Sequence, residues 1–164
     1  MKPIESFQDL YLEQLRDRYD AAKQQAETYP KLEQAASDPT LKSIIQDDIA
    51  SNQSHLDKLA QLFDKMGEQP EGEQCEGTQG LIHEADELLS YTSSGNVQDA
   101  GIAMSIQHIN HHDIAGYNSC VMYANANHDT ETAAVLQQML DEEMATDESL
   151  KKLIAQIIPE PATS

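Results

Sequence analysis

The sequence predicts an all-α protein, a four-helix bundle with an additional short helix. Valine is scarce, whereas Ala, Leu, Gln, Glu and Asp abound, and this balance favours helix over sheet. Between turn-forming segments, apolar residues recur every three or four positions, which is the period of an amphipathic helix. The chain therefore divides into long helices joined by mostly short turns, with breaks at 37–40, 67–77, 93–96 and 126–130.

The first two long helices are recognised by their apolar stripes and by the residues at their ends. The first stripe covers 11–29, and we expect Pro30 to end or bend this helix because proline lacks an N–H and clashes with the preceding turn. The second helix is predicted to begin with Asp38 as N-cap and Pro39 at its first position. It should end at Gly67.

The remaining helices follow the same signals. A short helix is predicted over 78–91, and a third long helix over about 96–124. The fourth long helix should start after the capping-like sequence HDTE, with Asp129 or Thr130 as N-cap, and end before Pro159.

Length and charge limit the function classes. We expect residues 1–158 to form a single domain, followed by a frayed tail at 159–164. The net charge of −19 argues against binding to nucleic acid or to a membrane surface, because both require an excess of Lys and Arg. The opening residues show no signal peptide, and no run approaches the about 20 apolar residues of a membrane-spanning helix. A cytoplasmic protein is therefore expected.

Polar side chains interrupt three of the four long apolar stripes near their middles. A buried carboxylate without a partner is costly, so these groups must meet a cation, water or one another. Two interpretations stay open at this stage. The acids either hold a metal ion or share a proton and bond to neighbouring amides. The candidate metal ligands are Asp48, Asp113, Glu143 and Asp147, and the other inward-facing polar residues are Asn52, His55 and Asn110.

Three histidines follow one another closely in the third long helix. With Asp113 placed on the core face, His111 lies roughly 160° away, His108 about 140° away on the other side, and His112 about 100° away. We therefore predict a surface histidine patch that could bind a stray divalent ion or titrate near neutral pH. A solvated face or a subunit contact is the simpler interpretation.

The two cysteines, Cys75 and Cys120, are too few for a disulfide framework and lack the spacing of a metal site. Cys120 is expected to be a small core residue. Cys75 is expected in an exposed connecting loop, without basic neighbours that would activate it.

Six stretches resemble the YciE/YciF-type bacterial stress proteins of the ferritin-like superfamily, in the same order and with compatible spacing. The resemblance implies a ferritin-like bundle, a homodimer and a link to stress responses. The stretches are RYDAAKQQ (18–25), PKLEQAASDPTLKSII (30–45), HLDKLAQLFDKMG (55–67), CEGTQGLIHEADELL (75–89), HHDIAGY (111–117) and LDEEMATDESL (140–150).

The chain departs from this family's pattern at several positions where the resemblance implies metal ligands. Ala22 and Ser51 stand where such proteins have glutamates, and Asn110 with Asp113 replaces a pair of glutamates. Glu143 is kept and faces inward. A di-iron centre needs about four carboxylates, so we expect a degenerated centre without ferroxidase activity, with no cofactor or at most one Fe, Mn or Zn ion.

Three functions remain as hypotheses. The first is a non-catalytic stress protein that acts through its surface or its dimer interface. The second is a metal-binding oxidoreductase or peroxide-handling protein with one ion at a carboxylate site. The third is an interaction module whose acidic helix faces bind a basic protein partner.

Overall fold

A computed structural model describes residues 3–72 and 74–158, and within these ranges the chain forms five α-helices and no strand. The prediction of an all-α bundle with an additional short helix is confirmed. The tail predicted at 159–164 lies outside the described residues. The helices are α1 (Phe7–Ala35), α2 (Pro39–Met66), α3 (Glu76–Tyr91), α4 (Asn96–Ala126) and α5 (Thr130–Ile157).

The helix ends follow the capping residues. The Asp38 side chain accepts two backbone N–H groups at the start of α2, and Pro39 is the first helical residue. Gly67 closes α2 in the left-handed conformation, at φ 68°, which costs glycine little. Asp129 accepts a backbone N–H at the start of α5. These predicted ends are confirmed.

The prediction that Pro30 ends or bends α1 is wrong about the end, since the helix continues through Pro30 to Ala35. Tyr29 and Leu32 lie on either side of this proline and are almost fully buried. Burying two large apolar side chains stabilises by about 1.5–3 kcal/mol each, which offsets the proline penalty of about 3 kcal/mol.

The four long helices form a ring in the order α1, α2, α5, α4, and each neighbouring pair is antiparallel. It follows that α2 and α4 run parallel, so the segment between them must cross the length of the bundle. The short helix α3 lies in this crossover and packs on α4 and α1. No helix in the described residues has a stretch long and apolar enough to cross a bilayer.

The interior consists of two apolar clusters with polar residues between them. One cluster gathers around Leu15, Leu59 and Leu136, and the other around Leu32, Ile45 and Ile106. Between the two clusters, each long helix contributes buried polar side chains at the same level. We call this set the polar layer, and its members are Arg18, Gln25, Asp48, Asn52, His55, Asn110, Asp113 and Glu143.

Candidate functional site

Three of the four predicted metal ligands, Asp48, Asp113 and Glu143, lie together in the polar layer. Burial raises the pKa of Asp113 and that of Glu143 to about 7. Burial, and then the charges of Glu143 and Asp113, raises the pKa of Asp48 well above its usual range. All three carboxyl groups therefore take up protons more readily than exposed carboxyl groups do.

Arg18 is the buried cation of the polar layer and was not predicted to face inward. Its side chain is only 2% exposed, and its Nη1 atom lies 2.6 Å from Asp113 Oδ1. Gln25 Nε2 donates to the other carboxylate oxygen of Asp113 at 2.5 Å. Both oxygens of Asp113 are thus bonded to side chains of α1.

Glu143 is bonded to Asn110 and lies next to His55. The Asn110 side-chain amide donates to the carboxylate and to the main-chain oxygen of Glu143. His55 Nδ1 lies 3.3 Å from Glu143 Oε1, outside hydrogen-bond geometry, while His55 Nε2 lies 2.7 Å from Glu142 Oε2. Burial lowers the pKa of His55 despite the adjacent Glu142, and its ring lies between a half-buried carboxylate and an interior one.

Besides Arg18 Nε, three buried atoms of the polar layer have no hydrogen-bond partner among the described residues. They are Asp48 Oδ2, His55 Nδ1 and Asn110 Oδ1. A buried polar atom without a partner is costly. Carboxylate oxygen, imidazole nitrogen and amide oxygen are also atoms that bind divalent cations. The layer can therefore take up a proton or a single cation.

Two positions lack a glutamate that the family resemblance implies, and the structure buries them to different extents. Ala22 is buried in the bundle, and its main-chain oxygen accepts Asn52 Nδ2 at 2.8 Å. Ser51 is half-buried, and its hydroxyl donates to Glu142 Oε2 at 3.3 Å. The first position presents a methyl group to the interior, and the second a hydroxyl group at the edge of the layer.

Asp147, the fourth predicted ligand, is buried but bonds to a different set of groups. Its Oδ1 accepts Gln107 Nε2 and His111 Nε2, each at 2.8 Å, and Lys151 Nζ lies 2.5 Å from its Oδ2. Burial opposes ionisation, but these three donors hold the pKa of Asp147 below its usual range. The structure therefore joins Asp147 to a network at the outer side of α4 and α5, and its role as a metal ligand stays a prediction.

The histidine patch is smaller than predicted. His108 and His111 are exposed, as expected, but the prediction for His112 is wrong because this side chain is half-buried. Helix α3 covers it at Gly77, where a Cβ atom would lie only 2.7 Å from His112 Nε2. Burial and the charge of Arg18 lower the pKa of His112.

The prediction of an exposed Cys75 without basic neighbours is also wrong. Cys75 is 2% exposed, and its Sγ atom lies 3.8 Å from Arg18 Nη2. Its main chain is fixed to α1, since its N–H donates to Asp20 Oδ2 and its oxygen accepts Gln24 Nε2. Cys120 is buried in the core, as expected.

Known proteins are similar to this chain in both sequence and fold. Residues 6–163 match the model of the family described as a domain of unknown function, DUF892. Protein YciF of Escherichia coli strain K12 is 29% identical over 154 residues, which are 93% of this chain and 91% of that protein.

Two solved structures superpose on nearly the whole chain. The E. coli stress protein YciF has a TM-score of 0.89 at 26% identity, with 94% of this chain and 98% of that chain covered. YcfI from Rhodopseudomonas palustris, described as a candidate structural protein, has a TM-score of 0.88 at 31% identity, with 92% and 96% covered. The predicted resemblance to YciE/YciF-type proteins is confirmed, and the chain belongs to the DUF892 family.

Proposed function

We propose that this chain is a ferritin-like, stress-associated protein that has lost a two-metal centre and acts without catalysis, through its surface and as a homodimer. The connectivity supports the ferritin-like part, because one long crossover between parallel helices is typical of ferritin-like bundles. The relatives described as a stress protein and as a candidate structural protein support the functional part.

The ion pair between Arg18 and Asp113 is the observation that carries this proposal. A two-metal centre in a bundle is built from about four carboxylates that surround two cations. In the polar layer, the guanidinium of Arg18 supplies the positive charge beside Asp113, and the amide of Asn110 donates to Glu143. Two of the three interior carboxylates are thus bonded to the chain itself. These residues do not fit a paired iron cluster.

The outer face of α4 supports the homodimer. The two carboxyl residues of this helix, Asp99 and Asp113, are both buried, and the helix contains no Lys or Arg. Beside it, a groove of about 540 Å³ between α4 and α5 includes Ile114, Ala115 and Met144 among its lining residues. The chain has a net charge of −19, but α4 brings no exposed Asp, Glu, Lys or Arg to this face, and Lys151 lies beside both acids of the groove, Asp147 and Glu148, on α5. Sedimentation equilibrium should give the mass of two chains.

Iron binding tests the loss of the centre. Protein produced without a histidine tag in iron-rich medium should contain less than about 0.1 iron per chain, and an iron-selective chelator should leave its unfolding curve unchanged. Added ferrous iron should oxidise no faster in the presence of the wild-type chain than in buffer alone or in the presence of an Asp113→Asn variant. Two bound irons per chain, or oxygen-dependent iron turnover that Asp113→Asn abolishes, would refute the proposal.

The three unpartnered atoms favour a second candidate, a metal-binding oxidoreductase or peroxide-handling protein with one Fe, Mn or Zn ion in the polar layer. Asp48 Oδ2, His55 Nδ1 and Asn110 Oδ1 are the atoms that such an ion would satisfy. One equivalent of bound ion that is lost both in Asp48→Asn and in Glu143→Gln would establish the metal site, and peroxide turnover that is lost in the same variants would establish the activity. The acidic surface also keeps a basic protein partner as a third possibility, which pull-down at low and high salt would test.

A further inference from the structure

A second group of potential metal ligands lies beside the polar layer, under helix α3. Asp17 on α1, Cys75 at the start of α3 and His112 on α4 each present one donor atom, and these atoms lie within 4.8 Å of one another. They are the only such group of three among the described residues. Oxygen, sulfur and nitrogen donors from three separate helical elements therefore converge on one point.

The Arg18 guanidinium lies at this point of convergence. Its Nη2 atom is 2.5 Å from Asp17 Oδ2, 3.0 Å from His112 Nδ1 and 3.8 Å from Cys75 Sγ. The three donors thus already surround a positive charge, which is the arrangement that a bound cation requires. The other end of the same guanidinium pairs with Asp113 in the polar layer.

We propose that Asp17, Cys75 and His112 form a site for a divalent ion of the zinc class, for which the Arg18 guanidinium competes. Zinc takes thiolate sulfur, imidazole nitrogen and carboxylate oxygen in tetrahedral sites, and water completes a site with three protein ligands. When the ion binds, a bond forms between the metal and Cys75 Sγ, the thiol proton leaves to solvent, and Arg18 Nη2 withdraws from the three donors.

Several features of the surroundings bear on this exchange. His112 Nδ1 lies 3.0 Å from Arg18 Nη2, so its lone pair faces the position that the ion would take once the guanidinium withdraws. The side chain of Asp17 is 31% exposed, so an ion can enter from solvent on that side. Gly116 leaves the space through which the arginine passes, since a Cβ atom there would lie 2.5 Å from Arg18 Nε. The main-chain bonds of Cys75 to α1 hold the thiol in place.

Cobalt(II) titration of the folded chain tests the site, because a cobalt–thiolate bond gives a near-ultraviolet charge-transfer band. The wild-type chain should bind one cobalt per chain with this band, and zinc should displace it. Cys75→Ser should abolish the band, and His112→Gln should weaken binding. Cys120→Ser is the matched control and should behave as wild type, because the second buried cysteine lies elsewhere in the core.

Arg18→Gln tests the competition. Cobalt should bind this variant at least about tenfold more tightly than the wild type, since no guanidinium must withdraw. Absence of the band from the folded wild-type chain, its survival in Cys75→Ser, or equal affinity in a folded Arg18→Gln would each overturn the proposal. If Arg18→Gln does not fold, the wild-type and cysteine variants decide the result. The iron measurements on the polar layer do not involve a thiolate band, so the two proposals fail separately.

Discussion

Replacing Arg18 by Gln should destabilise the fold more at pH 8 than at pH 5. In the wild type, Arg18 Nη1 lies 2.6 Å from Asp113 Oδ1, and both side chains are at least 95% buried. Removing one partner of a buried ion pair leaves an uncompensated charge, which costs about 3–5 kcal/mol. At pH 8 wild-type Asp113 is mostly ionised, since its pKa is about 7, whereas in the variant it escapes part of this cost by keeping a proton, so we expect a loss of about 2–3 kcal/mol.

The loss should shrink as the pH falls, because Asp113 can take up a proton instead of remaining an unpaired anion. The pKa of Asp113 is about 7 even beside Arg18, and removing the cation raises it further. At pH 5 the carboxyl group is therefore neutral in both proteins, and the variant loses only hydrogen bonds and packing. We expect a loss of about 1 kcal/mol there.

Urea unfolding followed by circular dichroism at pH 5 and pH 8 measures both quantities. Arg16→Gln is the matched control, because Arg16 lies two residues earlier on α1 and makes a partly exposed ion pair with Glu68. Its loss should stay below about 1 kcal/mol at both pH values. If Arg18→Gln costs no more than Arg16→Gln at pH 8, or if its cost is the same at both pH values, the assignment of a buried ion pair is wrong.

Two further substitutions test the polar layer and its surroundings by the same unfolding assay. Glu143→Gln should change the stability little at pH 5 and raise it at pH 8. The folded-state pKa of Glu143 is about 7, above its unfolded value, so the stability of the wild type falls as the pH rises to 7 and the side chain ionises. The matched control is Glu148→Gln, at an exposed position on the same helix, which should not stabilise the protein at pH 8. A clear loss of stability in Glu143→Gln at pH 8 would contradict the prediction. Gly116→Ala should cost about 1–3 kcal/mol, because the new Cβ atom would lie 2.5 Å from Arg18 Nε. Gly80→Ala, in open space on α3, should instead stabilise by up to about 1 kcal/mol, and equal effects of the two alanines would refute the crowding at Gly116.

The sequence was sufficient to predict the interior polar residues of three helices, because each interrupts an otherwise apolar stripe. Asp48, Asn110, Asp113 and Glu143 occupy positions at helical spacing from buried aliphatic residues, and all four are buried. Both ends of α2 and the start of α5 followed from local capping chemistry in the same way. The predicted helix end at Pro30 was wrong, because the local rule for proline takes no account of the burial of Tyr29 and Leu32 on either side of it.

The buried residues of α1 were harder to find, because two stripes are compatible with its sequence. A stripe through Tyr19 and Ala26 looks more apolar. Steps of three, four and three residues from Leu15 lead instead to Arg18, Ala22 and Gln25, and these are the buried positions. Arginine is rarely buried without a partner, and its partner here lies 95 residues away on α4. Periodicity within one helix carries no signal of such a contact.

The environment of His112 could not be predicted for a related reason. Its angle on α4 correctly separates it from the core of the four long helices, but α3 covers that side of α4. The position of α3 depends on how the crossover between α2 and α4 is routed, which the spacing of apolar residues does not specify. The same packing buries Cys75 beside Arg18. A cluster of donors from three elements therefore appears only in the folded chain.

We infer that the polar layer persists because it fixes the alignment of the helices. The apolar residues above and below it could repack at moderate cost if one helix shifted along its neighbours. A shift of α1 by one turn, about 5.4 Å, would instead move Arg18 away from Asp113 and leave two buried charges without partners, at a cost of several kcal/mol. Asp113 therefore contributes to the fold whatever chemistry the interior carboxylates perform, because its pairing with α1 distinguishes one register from all others.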